Sequence, residues 1–421
     1  MPRPRVLAAL PGFFPSTVIN VAKPLIRLVE EGAIDLDLTA HFATRRRQIE
    51  GADVLVMSHT IDPAHAWILD CARQSGTPLV YDIDENLLEP PDDVPGLQFH
   101  RAPGRQAAVR QALAQAAVVR TYAPALQRYL RAYNANVVRT EGPIDWRLVP
   151  ADAPPRRSDR VRIVYATSRQ GQDTIGAMIV DPLRKMLDAH AHVDVTIWGP
   201  RFAALDGHPR VEHRAFIREY DRYFGEFARA GFDIGLAPMP GDAFYQSKTA
   251  TKFREYAACR IAGIYADVEI YRDCVTDGET GLVVNHSGGP CPPVALRDEA
   301  WIAAMERLIR DAPLRARIRA QAERAARERY SAERISRDWL SHIEAAAASR
   351  RAAARGPEPL ADQSRTPRIA RIGEYSRRAV SLVRSGGVSA LWSRLRAELA
   401  DRRQLAEWEL ALRQIRRQQH L

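Results

Sequence analysis

The stretch FDIGLAPMPGDAFYQSKTATKFREYAACRIAGIYADVEIYRDCVTDGETGLVV, residues 232–284, decides how the chain is read. It opens on one apolar run, FDIGLAP (232–238), and passes through a second, AGIYAD (262–267). Between them SKTATKFREYAACR reads as a helix over 247–259. A strand, a helix and a strand in succession make a βαβ unit, whose strands are parallel. The intervening helix carries Lys248, Lys252 and Glu255 at i, i+4 and i+7, which places them on one face. Lysine is scarce here. Of 61 basic residues only Lys23, Lys185, Lys248 and Lys252 are lysine. A helix start beyond a strand offers unpaired N–H groups and a positive dipole end to an anion. A compact ammonium suits a phosphate oxygen in a tight site. The plain alternative is a solvated face on which Lys252 and Glu255 pair at i, i+3.

The same strand-and-helix alternation runs outward in both directions. Before residue 150 the apolar runs are RVLAAL (5–10), DLTAHF (37–42), DVLVMS (53–58), PLVYDI (78–83), AVVRTY (117–122) and NVVRTE (136–141). Helical stretches intervene, such as 17–31 and 62–75. Near-continuous apolar runs are the mark of parallel strands covered on both faces. VPADAPPRRSD (149–159) reads as a linker from its proline and charge. The pattern then restarts with VRIVYAT (161–167), VDVTIWG (193–199) and VEHRAF (211–216). Further helices are expected at 173–189, 219–230, 298–311 and 313–348. ETG (279–281) is expected to end a strand in a turn that needs Gly281. The fold expected is α/β: two doubly wound domains, 1–150 and 151–348, facing across a cleft. A linker (349–370) and a helical tail (371–421) follow.

Composition bounds the rest. No apolar run of the 421 residues approaches the ~18 of a membrane span. The N-terminal apolar run stops at Pro11 and reads as a first strand, not a secretory signal. Cys71, Cys259, Cys274 and Cys291 lack metal or disulfide spacing, which points to a reducing cytoplasm. Net charge is +10, yet residues 351–421 hold 15 Arg against 7 acidic residues. The body is nearly neutral and lacks a basic motif with interleaved aromatics, so no nucleic-acid partner is expected. In the tail, Val388, Leu391, Trp392, Leu395, Leu399, Leu405, Trp408, Leu412 and Ile415 step by threes and fours into an amphipathic stripe. Such a helix fits an anionic membrane surface, or the body of the protein, or a second copy of it.

The elements D-I-G-L-A-P, S-K-x-x-x-K-F-x-E-Y-A-A, Asp267–Val268 and D-G-E-T-G-L-V-V, then Trp301 and LIRDAPLRARIRAQAERAARERYS, resemble GT-B glycosyltransferases of the large bacterial retaining family (group 1, family 4-like). TPLVYDIDENLL (77–88) resembles the same group. The likeness spans residues 5 to about 345. It implies a nucleotide-diphospho-sugar as donor substrate, no separate cofactor, no metal, and a glycan or lipid-linked acceptor. Glu255 matches the second glutamate of the E-x7-E motif, which holds the ribose hydroxyls. The first glutamate, a contact of the donor sugar, is replaced by Ser247. Backbone amides of Thr249, Ala250 and Thr251 would cradle the diphosphate, with Lys248 beside them. Lys252 and Arg169 would stabilise charge on the leaving phosphate. Gly12 and His59 would approach donor or acceptor from the first domain. DIDEN (82–86) could pass for the D-x-D metal motif of the other glycosyltransferase fold. Asp82 and Asp84 are read instead as capping the strand-to-helix turn or facing the acceptor. His65 and His100 are read as structural. A sugar-nucleotide epimerase, a non-catalytic subunit, or RNA binding through the arginine tail are the competing readings.

Overall fold

The computed structural model describes residues 3–91, 95–151, 159–168, 174–284, 294–353 and 396–418. Its first sheet has the strands β1 (Arg5–Leu10), β2 (Asp35–Ala40), β3 (Val54–Ser58), β4 (Leu79–Asp82), β5 (Ala116–Thr121) and β6 (Val137–Arg139). Their order is β2-β1-β3-β4-β5-β6, and every pair is parallel. The second sheet has β7 (Val161–Ala166), β8 (Val193–Gly199), β9 (Val211–Ala215), β10 (Ile234–Ala237), β11 (Ala262–Ala266) and β12 (Leu282–Val284). Its order, β12-β11-β10-β7-β8-β9, is again parallel throughout. Both sheets are therefore doubly wound. The first reverses direction between β1 and β3, the second between β7 and β10. Loops leaving the carboxyl ends of strands at such reversals flank a natural ligand crevice.

Strand interiors explain the parallel arrangement. All five residues of β3 and β11 are buried, as are five of six in β1, because helices cover both faces. Val6, Ala8, Val54, Val56 and Val80 point to one face of the first sheet, and Leu7, Ala9, Leu55 and Met57 to the other. The register Val6↔Val54 keeps these two sets apart, since a slip of one residue would exchange the faces.

Helices depart from expectation at instructive places. The stretch expected at 17–31 is helical but widens into a π turn at Val18–Ala22. There the Asn20 carbonyl accepts from Trp339 Nε1 at 2.9 Å. The helix expected at 313–348 breaks at Tyr330 into Ala312–Arg329 and Ala332–Ala353. The Tyr330 carbonyl accepts from the Ile144 amide of the first domain, 3.1 Å, and the second piece crosses over. Its Ile335, Trp339, Ile343 and Ala346 pack on the first sheet with Val6, Leu25 and Val56. ETG precedes strand β12 rather than ending one. The left-handed residue of that turn is Gly278, φ +74°, while Gly281 is required by the Tyr265 ring, 2.6 Å from where a Cβ would stand.

The tail shows what its stripe covers. Residues 396–418 are one helix, with Leu405 and Leu412 buried against the first domain and Trp408 and Ile415 packed beside them. Trp408 meets Phe13 at 5.3 Å between ring centroids. The earlier stripe positions, Val388 to Leu395, lie outside the described residues.

Candidate active site

The second-domain wall follows β10. A short helix, Ala243–Gln246, is capped by Asp242, whose carboxylate accepts from the amides of Phe244 and Tyr245. Ser247 ends it, and its hydroxyl donates back to the Ala243 carbonyl at 2.9 Å. The next helix is Thr251–Ala258, shorter than the 247–259 expected. Lys248 therefore precedes the helix instead of sharing its face with Lys252 and Glu255. The reason is local: Ser247 spends its hydroxyl on closing the first helix, and Ala250 departs from helical geometry at ψ 40°. The first backbone bond of the second helix runs from the Arg254 amide to the Ala250 carbonyl, 3.2 Å. The amides of Thr251, Lys252 and Phe253 thus have no carbonyl one turn back to bond. Thr249 and Thr251 hydroxyls sit 2.6 Å apart beside them.

Lys252 and Glu255 do pair at i, i+3, with Nζ 2.6 Å from Oε2. The face is not solvated, however. The Glu255 side chain is 4% exposed and Lys252 22%. The Tyr223 hydroxyl adds a long contact to Glu255, 3.4 Å, and its ring lies 5.8 Å from the Lys252 ammonium. A buried carboxylate held by one lysine beside a row of free amides can accept a pair of vicinal hydroxyls while the lysine and amides hold an anion.

The first-domain wall follows β1 and β3. His59 lies just past β3, in a left-handed backbone conformation, φ 57°, that a non-glycine residue rarely adopts. The conformation is pinned by the His59 amide donating to the Asp82 carbonyl at 2.8 Å and by Tyr81 Oη donating to the His59 carbonyl. His59 Nε2 lies 3.0 Å from Glu85 Oε1 and 3.9 Å from Asp84 Oδ1. Burial works to lower the His59 pKa, but the hydrogen bond to Glu85 and the two carboxylates raise it on balance. Glu85 was not among the expected site residues. Its other oxygen reaches across the cleft to Lys248 Nζ. Burial disfavours the Glu85 charge, yet Lys248 and His59 hold its carboxyl well below the usual range. The sequence does place Glu85 in DIDEN at a strand end, where attention falls on the two aspartates.

Asp84 stays on this wall beside His59, but Asp82 does other work. Asp82 accepts from Tyr122 Oη at 2.7 Å and lies 3.4 Å from Arg120 Nε, inside the first domain. It neither caps the turn nor faces the cleft, because its carboxyl is buried against Tyr122 and Arg120. The turn is capped by Asn86, which accepts from the amides of Leu88 and Glu89. Among the described residues no group of three His, Cys, Asp or Glu could hold a metal ion. Gly12 sits at the end of β1, but a Cβ on it would meet Asp401 Oδ2 of the C-terminal helix at 2.8 Å, so that side of the loop is covered. Phe14, two residues on, turns to the His59 ring at 5.0 Å. His100 packs 5.8 Å from His59, and His65 against His41. Arg169 lies outside the described residues.

The cleft therefore joins Lys248, Lys252, Glu255 and the 249–251 segment on one wall to His59 and Glu85 on the other. No family model matches the chain, and no curated protein matches it. Solved structures do. The Anabaena protein HepE, in complex with UDP and glucose, is 14% identical, covers 81% of this chain and all of its own, and superposes with a TM-score of 0.58. The fold is GT-B. An alpha-glucosyltransferase in complex with UDP-glucose and DNA is 10% identical over 82% of this chain and all of its own, TM-score 0.55. A Listeria monocytogenes protein assigned as a UDP-N-acetylglucosamine 2-epimerase is 10% identical over 86% of this chain and all of its own, TM-score 0.52.

Proposed function

We propose that this GT-B chain is a glycosyltransferase that takes a sugar from a nucleotide-diphospho-sugar and passes it, with retention and without a metal, to a glycan or lipid-linked acceptor. One observation carries the reading. The pair of half-buried Lys252 and buried Glu255 stands at the free amides of the Thr251–Ala258 helix, at the carboxyl side of β10 where the second sheet reverses. That is where the donor would lie, its ribose on Glu255 and its diphosphate on the 249–251 amides with Lys248 and Lys252. As the glycosidic bond breaks, negative charge builds on the β-phosphate. Cations and helix-end amides already in place stabilise that charge without reorganising. The acceptor hydroxyl arrives on the face the leaving group vacates, and a phosphate oxygen takes its proton. A serine offers the sugar no carboxylate, and the Ser247 hydroxyl is already donated to the Ala243 carbonyl.

The proposed location is the cytoplasm, or the inner face of the plasma membrane if the acceptor is lipid-linked. Among the described residues no helix is long and apolar enough to cross a membrane. The likeness to an assigned epimerase keeps that chemistry as a second reading of the same donor site.

A thermal-shift screen of nucleotide-sugars tests the donor: one at 100 times its Kd stabilises by roughly 2.7 kcal/mol. Incubating the stabilising donor alone separates the two chemistries, since an epimerase interconverts it without an acceptor. Transfer is expected to survive EDTA. Loss of turnover restored by manganese would overturn the metal-free reading.

A further inference from the structure

Ser247 leaves the sugar end of the donor site without a carboxylate from the second domain, yet a carboxylate is present from the first. Glu85 extends from the turn after β4 and is 7% exposed. Both of its oxygens are engaged, Oε1 with His59 at 3.0 Å and Oε2 with Lys248. Lys248 is the residue immediately before the 249–251 segment, so this ion pair abuts the place where a diphosphate would sit. Other pairs also tie the two domains. Arg128 meets Glu269 at 2.6 Å with the arginine 60% exposed, a solvated pair on the outside. Arg139 meets Asp273 far from the Lys252–Glu255 site in sequence and element. Lys248–Glu85 is the buried one that links the end of β4 to the start of the phosphate-binding segment.

The two partners of Glu85 differ in permanence. His59 belongs to the same domain and is fixed by Tyr81 and the Asp82 carbonyl. Lys248 belongs to the other wall and gains a second anion when a diphosphate arrives. Its ammonium also lies 4.5 Å from the Phe244 ring, a neutral resting place toward its own domain. Once Lys248 turns to phosphate, Glu85 Oε2 lacks its donor while Oε1 keeps His59. A carboxylate oxygen so placed accepts hydrogen bonds and gives none. A sugar hanging from the β-phosphate presents hydroxyl donors.

We propose that Glu85 is a sugar-reading residue of the donor site: its Oε2, released by Lys248, accepts hydroxyl hydrogen bonds from the transferred sugar and so sets which sugar is taken. The proposal rests on the donor reading above and deepens it. It assigns to a first-domain residue a task the second domain has given up at Ser247. Burial in the turn after β4 makes the placement selective, because a hydroxyl pointing elsewhere would leave the carboxylate unpaired.

The test is isothermal titration of the full chain with UDP, ADP and GDP, and with UDP-glucose, ADP-glucose and GDP-mannose, on wild type, Glu85→Gln and Glu85→Asp. Glu85→Asp keeps the charge that Lys248 and His59 require and withdraws the oxygen by one methylene, so it guards against a folding defect in the amide variant. The affinity of the sugar conjugate relative to its own nucleoside diphosphate is expected to fall about tenfold or more in both variants, as for a lost hydrogen bond to a charged group. Affinity for the bare diphosphate should stay within a few-fold in Glu85→Asp and tighten in Glu85→Gln, where Lys248 has no carboxylate to leave. If both ligands tighten together in Glu85→Gln, Glu85 is only a latch on Lys248 and the proposal is wrong. An unchanged ratio in Glu85→Asp overturns it as well. Wild type that binds a diphosphate leaves the donor site standing in either case, whereas wild type that binds none removes the donor reading and this one with it.

Discussion

Lys252 and Glu255 neutralise each other at 2.6 Å, and a donor bound as proposed would divide them. In the proposed mechanism Lys252 is a cation whose value is greatest when the phosphate departs. Lys252→Ala is expected to lower turnover about 10²-fold or more, comparable to losing one preorganised donor of an oxyanion hole. On the proposed reading Glu255 grips the ribose before and after the chemical step, so Glu255→Ala should act chiefly on donor binding. Steady-state kinetics with the donor identified by thermal shift distinguishes the two, and wild-type rates in both variants would mean the site lies elsewhere. The pairing at i, i+3 could be read from the sequence because helical spacing alone brings the two side chains together. Lys248 and Glu85 are 163 residues apart, and no local periodicity links them. Only the way two sheets face each other does so. The same holds for Gly12, where the sequence gives a turn but not the Asp401 side chain that covers it.

At the scale of elements, the expected strands fall within about two residues of the observed ends, since a parallel strand buried on both faces is an uninterrupted apolar run. RVLAAL and VDVTIWG coincide with β1 and β8. The failures are short or tertiary. β12 has three residues, too few for a pattern, and the break at Tyr330 depends on a first-domain amide that accepts no local description. The pairing of β4 with β5 also hides a charge. Asp82 and Arg120 stand in register on these strands, and both are buried. Burial pushes Asp82 up to about 7, against the Arg120 charge and the Tyr122 hydrogen bond, which lower it. An unfolded aspartate titrates near ~3.9. Between about pH 4 and 7 the folded chain therefore binds a proton that the unfolded chain has lost, so stability contributed by this group falls as pH rises. Asp82→Asn removes that dependence. Denaturant midpoints of wild type are expected to drop from pH 5 to pH 8 relative to the variant. Parallel curves would mean that Arg120 keeps Asp82 ionised across the whole range.

At the scale of the molecule, chain continuity ties the domains together twice. The Ala332–Ala353 helix returns to the first domain, and the 396–418 helix lies on it as well. Asp401 sits between the two domains: it accepts from the Phe13 amide at 3.1 Å and pairs with Arg218 at 2.8 Å. Burial raises its pKa against these two partners. Of the apolar stripe read from the sequence, Leu405, Trp408, Leu412 and Ile415 are spent on the first domain, and Leu399 is not. Leu399 and Leu410 are the large apolar residues this helix leaves exposed, at 65% and 58%. Two leucines and a basic face bind an anionic surface weakly, and salt screens the charge part. The docked helix therefore makes two expectations. Trypsin should cut slowly at Arg402, Arg403 and Arg413 in the native chain, and the triple variant Leu405→Ala, Trp408→Ala, Leu412→Ala should be cut faster, since it removes the contacts that hold the helix down. Flotation with anionic vesicles at physiological salt should recover little native protein, and more of a variant whose helix has come free would not count as native membrane binding. Rapid cleavage of the wild type, together with salt-resistant flotation that disappears when 396–421 is deleted, would show instead that this helix exchanges the protein's surface for the bilayer's.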